Sequence, residues 1–121
     1  MNVYDYAHKL VKAFKESDDY QQYKEVSEKI KSDSSSVKML KDFRKKNFEL
    51  QKLQMQGKEP SQEQMEQIQK LFETISLNKD IETFLMLEQR IGQTMSDIQK
   101  IIGDGIKLEF NPLEEEDASS Q

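Results

Sequence analysis

Few residues in this chain are equipped for chemistry. His8 is the only histidine, and a lone imidazole makes neither a catalytic triad nor a zinc site. The absence of cysteine excludes disulfides, thiolate nucleophiles and every cysteine-ligated metal or iron–sulfur centre. Gly103-Asp104-Gly105 lacks both the flanking strand of a phosphate-binding loop and the regularly spaced acids of a calcium loop. Ser34, Ser35 and Ser36 offer hydroxyls for phosphorylation, although cap and loop positions already account for serine there. That leaves Glu88-Gln89-Arg90, a charged trio inside FLMLEQRIGQTMSDIQKII, the most apolar stretch of the chain. As a catalytic carboxylate Glu88 has no second acid, histidine or metal ligand in its pattern. The expectation is therefore no catalytic residue, no cofactor, no metal and no enzymatic activity.

Glu88 has another use. Projected at about 100° per residue, its helix places Glu88 beside Met95 near the centre of the apolar arc, with Arg90 on the opposite side. The helix carrying LKDFRKKNFELQKLQM places Arg44 within an arc of Leu40, Phe43, Asn47, Phe48 and Met55. An inward arginine and an inward glutamate predict a semi-buried Arg44–Glu88 ion pair, within one subunit or across a dimer, with Asn47 and Gln54 extending a polar seam; the alternative reading sets Glu88 at the seam's edge with its carboxylate reaching water. Burying either charge alone would cost several kcal/mol, whereas a hydrogen-bonded pair offsets that cost and fixes helix register.

The elements that must position this pair are helices. Asn2 and Asp5 mark the start of a first helix over about 3–16, with Val3, Ala7, Leu10, Val11 and Phe14 on one face. Ser17, Asp18 and Asp19 open a second over about 18–31, with Tyr20, Tyr23, Val26 or Ser27, and Ile30 at helical spacing. Ser32–Ser36 reads as a short break. The seam Leu40, Phe43, Asn47, Leu50, Gln54 then steps by threes and fours along a long third helix, which Gly57 and Pro60 end. Ser61 and Gln64 form a capping-box pattern for a fourth helix over about 61–76, expected to bury Met65, Ile68, Leu71, Phe72 and Ile75. Asn78 offers the next cap, and Ile81, Phe84, Glu88, Ile91, Met95, Ile98 and Ile102 form the seam of a fifth helix that Gly103 and Gly105 should weaken. Met55, Met65, Met86 and Met95 read as core filler. Residues 1–105 are thus expected to form a helical bundle domain containing a long hairpin. Residues 106–121 are expected to be an extended segment, with Ile106, Leu108 and Phe110 alternating, followed by an acidic mobile tail.

Composition supports an all-α fold of about five helices. The chain has 121 residues, 35% hydrophobic and 34% charged, with only 2 Pro and 4 Gly, too few to punctuate a many-stranded sheet. Its longest apolar run is FLML, far short of the roughly 20 residues a membrane span needs, and its first residues do not form a secretory signal. A soluble, cytoplasmic protein without membrane insertion is expected. The formal charge of −5 argues against direct affinity for nucleic acid. Lys38, Lys41, Arg44, Lys45 and Lys46 are a local exception that reads first as a solvated flank.

The helix order, LKDFRKKNFELQKLQMQGKEPS and LNKDIETFLMLEQRIGQTMSDIQKII together resemble the YlbF/YmcA family of small helical bacterial proteins, most closely its YheA-like members. The matching elements are Phe43-Arg44, Gln54-Met55 with Gly57 behind them, and Glu88-Gln89-Arg90 followed by Ile101-Ile102, within about residues 3–102. From Gly103 onward the chain departs from the YheA-like pattern. The resemblance implies an all-helical cytoplasmic protein that self-associates. It also implies kinship with non-catalytic accessory subunits that promote messenger-RNA maturation by a membrane-tethered endoribonuclease, with effects on competence, sporulation and biofilm formation. Relatives bind iron–sulfur clusters through cysteines; this chain has none, so that cofactor does not carry over.

Two function classes follow. One is an interaction or regulatory protein, a homodimer or higher homo-oligomer that docks an unidentified protein partner. Its contact face would comprise Leu40, Phe43, Leu50, Ile91, Met95, Ile98 and Ile102, because the seams of the third and fifth helices are too long for the shorter helices to cover. The other is an RNA-associated factor using the Lys38–Lys46 patch, with a small-ligand-binding bundle around Glu88 as a further alternative.

Overall fold

The structure, a computed structural model, describes residues 1–108, all of whose regular secondary structure is helical. Five helices follow in order: α1 Val3–Lys15, α2 Asp18–Lys31, α3 Ser34–Met55, α4 Gln62–Ser76 and α5 Lys79–Gly105. The chain divides into two compact units, one of residues 1–91 and one from Gly92 onward.

Each start is fixed by a side chain that satisfies amides left without an intrahelical acceptor. Asn2 Oδ1 accepts from the Asp5 amide at 3.1 Å, and the Asn2 amide donates to Asp5 Oδ2 at 3.2 Å. Ser61 and Gln64 make the same reciprocal box at α4, at 3.1 and 2.9 Å. Ser17 caps α2, and Asp33 accepts from the Ser35 amide at 3.1 Å to cap α3. At the other end of α3, Gly57 takes φ +71°, a left-handed conformation that costs glycine little. The Lys58 amide then reaches Leu53 O at 2.9 Å and the Gly57 amide reaches Gln54 O at 3.1 Å, which closes the helix in a Schellman turn.

The core of the first unit is small. Val26 and Ile30 of α2, Ile75 of α4, and Ile81, Phe84 and Leu87 of α5 are buried, and Tyr23, Val37, Met39, Leu40, Phe43, Leu71 and Leu85 pack against them. Ile81 and Leu87 are fully enclosed. A buried polar contact ties the layers together: the Asn78 side-chain amide donates to Ser36 Oγ at 2.9 Å, and Ser36 Oγ donates to Asp33 Oδ2 at 2.9 Å. Asn78 Oδ1 also accepts from the Ile81 amide at 3.2 Å, so the caps of α3 and α5 share one hydrogen-bonded chain.

Several sequence-based expectations change. The break at Ser32–Ser36 shrinks to Ser32 and Asp33, because Asp33 is the cap and the three serines form the first turn of α3. Met65 and Phe72 are not buried by α4 but are 57% and 61% exposed. Ile75 alone of α4 is buried in the core, Ile68 and Leu71 are half-buried, and Met65 and Phe72 lie on the side left in solvent. Met55, Met65, Met86 and Met95 are surface residues, not filler. On α5 the buried residues are Ile81, Phe84 and Leu87, whereas the side chain of Glu88, which projects between Phe84 and Ile81, stays 43% exposed. Gly103 does not stop α5, which continues to Gly105. A glycine costs about 1 kcal/mol in a helix interior, which weakens a long helix without ending it.

In the second unit, α5 presents Met95 and Ile102 to solvent, with Ile98 half-buried between them, and the side chain of Gln93 donates to Asp97 Oδ1 at 2.9 Å. Ile106, Lys107 and Leu108 are exposed and carry no regular secondary structure. The rest of the expected extended segment and acidic tail lies outside the described residues.

Candidate functional site

The candidate site is assembled in the first unit from α2, α3 and the first half of α5. Arg44 lies one turn beyond Leu40 on α3, and Glu88 one turn beyond Phe84 on α5, so core packing of the two apolar residues brings the two charges into register. Arg44 Nη2 donates to Glu88 Oε2 in an ion pair whose side chains are 50% and 43% exposed. The guanidinium also sits 5.5 Å from the centroid of the Phe84 ring, and Phe84 stacks on Tyr23 at 5.1 Å. Arg44 thus lies over the ring of Phe84 and donates to the carboxylate of Glu88.

The magnitude of this arrangement is modest. Half-exposed ion pairs contribute about 0.2–1 kcal/mol, and a cation over an aromatic face at an exposed site about 0.5–1 kcal/mol. Its value lies in register, since a slip of either helix by one residue would separate the charges. A double-mutant cycle of Arg44→Met and Glu88→Gln, followed by chemical denaturation, should return a coupling energy of about 0.5–1 kcal/mol. Coupling near zero would show that the two side chains stabilise nothing through one another.

The remaining predicted site residues are dispersed. Asn47 is half-buried and Gln54 is exposed, and neither hydrogen-bonds to the Arg44–Glu88 pair, so the polar seam is not continuous. Leu40 and Phe43 pack against the core of their own unit. Leu50 and Ile91 are half-buried. Within the basic patch Arg44 is committed to Glu88, while Lys46 turns toward Glu49 at 3.6 Å and toward Gln67 of α4 at 3.3 Å. His8 is exposed on α1. Among the described residues no group of three or more histidines and carboxylates is placed to hold a metal.

Beside the ion pair, α2 and α3 enclose a groove of about 510 Å³, floored by Tyr20, Tyr23, Val37 and Leu40 and rimmed by Lys24, Lys31, Lys41 and Arg44. Sequence reasoning had placed Tyr20 and Tyr23 on one face of a helix and Lys41 and Arg44 in a basic run. That the two sets face one another depends on the α2–α3 turn, which periodicity along a single helix does not reveal. A seam stepping by threes and fours from Phe84 to Glu88 passes over Leu87, which is buried and shares the i, i+3, i+6 spacing of Ile81, Phe84 and Leu87.

Comparison with known proteins places this architecture among described sequences. A family model described as control of competence regulator ComK, YlbF/YmcA, matches residues 3–107. A UPF0342 protein of Symbiobacterium thermophilum is 41% identical over 108 residues, covering 89% of this chain and 96% of that protein. A UPF0342 protein of Caldicellulosiruptor bescii is 40% identical over 107 residues, covering 88% and 90%. A solved structure of a protein of unknown function (DUF964) from Bacillus stearothermophilus superimposes with a TM-score of 0.69 at 25% identity, over 85% of this chain and 90% of that one.

Proposed function

The chain belongs to the YlbF/YmcA family, and from that premise we propose that it is a non-catalytic interaction protein of the bacterial cytoplasm, working as a homodimer or higher homo-oligomer. The observation that carries this reading is the set of large apolar side chains left in solvent at helical spacing. Met65 and Phe72, seven residues apart on α4, are 57% and 61% exposed; Met95 and Ile102, seven apart on α5, are 51% and 50% exposed. A seven-residue interval returns a side chain to nearly the same helix face, so each pair marks a stripe suited to packing against another helix. Scattered exposed apolar residues need no explanation, but repeated stripes on two helices point to association.

A regulatory role follows from the family's description as controlling a competence regulator, and an accessory role in RNA processing or developmental regulation is the finer form of the same proposal. No helix among the described residues is long and apolar enough to cross a membrane. The described residues supply contact surfaces and a register-setting ion pair between Arg44 and Glu88.

Multi-angle light scattering on the full chain tests the proposal. A mass at least twice that of the 14.3 kDa chain is expected at micromolar concentration, and Phe72→Glu or Met95→Glu should shift the population toward monomer. A mass of one chain throughout the concentration range would overturn it.

A further inference from the structure

The α2–α3 groove is basic although the chain as a whole is acidic. Its lining includes four cations, Lys24, Lys31, Lys41 and Arg44, and one carboxylate, Glu28, in a chain whose formal charge is −5. Lys31 is 3.9 Å from Glu28 and Arg44 is paired with Glu88, whereas Lys24 and Lys41 are exposed and make no ion pair among the described residues. Between them lies a floor of half-buried Tyr20, Tyr23, Val37 and Leu40, which still offers apolar surface. A cleft of about 510 Å³ is far too large for a lone ion and has room for several side chains.

Its shape follows from two helices joined by a two-residue connection. The lining residues recur at helical spacing on each wall, Tyr20, Tyr23 or Lys24, and Ser27 on α2, then Val37, Leu40 or Lys41, and Arg44 on α3. Each set spans seven residues, about two turns or 10 Å. A groove with apolar floor and helical walls accepts a third helix by its apolar face. We propose that this groove docks an acidic amphipathic helix of a partner protein, apolar side chains on the floor and carboxylates against Lys24 and Lys41. This deepens the reading as an interaction protein, on which it rests, by assigning the partner's chemistry and its seat.

Charge also argues against one occupant close at hand. Helix α1 has an uncovered apolar face, with Val3 76% and Val11 51% exposed, and would otherwise suit the groove of a second copy. It carries Lys9, Lys12 and Lys15 against a single acid, Asp5, so seating it would press like charges onto the basic rim.

The test uses the full chain and a fluorescein-labelled helical peptide of about 18 residues, long enough to hold a helix, with leucines at i, i+3/4 and i+7 and glutamates flanking them. A twin peptide carries lysine in place of every glutamate. Fluorescence anisotropy should show saturable binding of the acidic peptide, weakening as salt is raised, and binding of its basic twin at least about tenfold weaker. Lys24→Glu combined with Lys41→Glu should weaken the acidic peptide about tenfold or more, and Lys24→Gln with Lys41→Gln should give a smaller loss. Circular dichroism checks that both variants keep wild-type helix content. No saturation at about 100 μM protein, equal binding of the two peptides, or affinity unchanged by the charge reversal would each overturn the proposal. So would displacement of the acidic peptide by the basic twin or by an RNA oligonucleotide at lower concentration than by unlabelled acidic peptide. Because the groove lies within one chain, peptide binding by a protein that scatters light as a monomer would uphold the groove and sink only the oligomer.

Discussion

Leu87→Ala should lower the free energy of unfolding by about 2–5 kcal/mol, measured by urea denaturation followed by circular dichroism. Leu87 is fully buried at the meeting point of α2, α4 and α5, and truncating it removes apolar contacts while leaving a cavity that helices fixed by caps at their starts can only partly close. The loss is large relative to the whole, because natural domains are stable by only about 5–15 kcal/mol and this core has few fully enclosed side chains. Gln89→Ala, two residues along at an exposed position, should change stability by no more than about 0.5 kcal/mol. A cost below about 1 kcal/mol for Leu87→Ala would mean that α5 does not pack as described.

The second large effect is expected at Asn78. Its side chain accepts from the Ile81 amide, which caps α5, and donates to Ser36 Oγ, which is 4% exposed and in turn donates to Asp33, the cap of α3. Asn78→Ala deletes a cap worth about 1 kcal/mol and takes a donor from a buried hydroxyl, together about 1–3 kcal/mol. Asn78→Asp separates the two contributions. It keeps a cap acceptor for the Ile81 amide but loses the donor to Ser36 and brings a second carboxylate towards Asp33. Thermal melts should therefore place Asn78→Asp between wild type and Asn78→Ala. If Asn78→Asp equals wild type, the link between the two caps carries no stability and Asn78 acts only as a local cap.

The role of this link differs from that of the Arg44–Glu88 pair. Ser36 is buried and Asn78 half-buried, so an unmade hydrogen bond there is costlier than one in open solvent. Arg44 and Glu88 remain half in solvent, where water replaces a lost partner at small cost. Loss of Asn78 should be read in stability, whereas loss of Arg44 or Glu88 should be read mainly in how firmly α3 and α5 keep register. The proposed peptide groove borders the same pair, so Arg44→Met is a poor probe of docking and the free Lys24 and Lys41 are the better ones.

What the sequence determined by itself is local. Caps at Asn2, Ser17, Ser61 and Asn78 and the stop at Gly57 each act within a few residues, through a side chain and backbone amides or through one left-handed residue, so helix boundaries could be read directly. The pairing of Arg44 with Glu88 was legible from opposite charges on the apolar sides of two helices, although both side chains stay about half in solvent. Periodicity, however, specifies an apolar face and not what covers it. Met65 and Phe72 share a helix with Ile75, but only Ile75 is buried, because which part of an apolar face is enclosed depends on how the other helices dock against it. Leu87 is fully buried while its neighbour Glu88 stays half in solvent, for the same reason. Ser36 bonds Asn78 across 42 positions of sequence, and the α2–α3 groove sets tyrosines of one helix against lysines of the next; both depend on how whole helices dock, and no spacing along one helix encodes it.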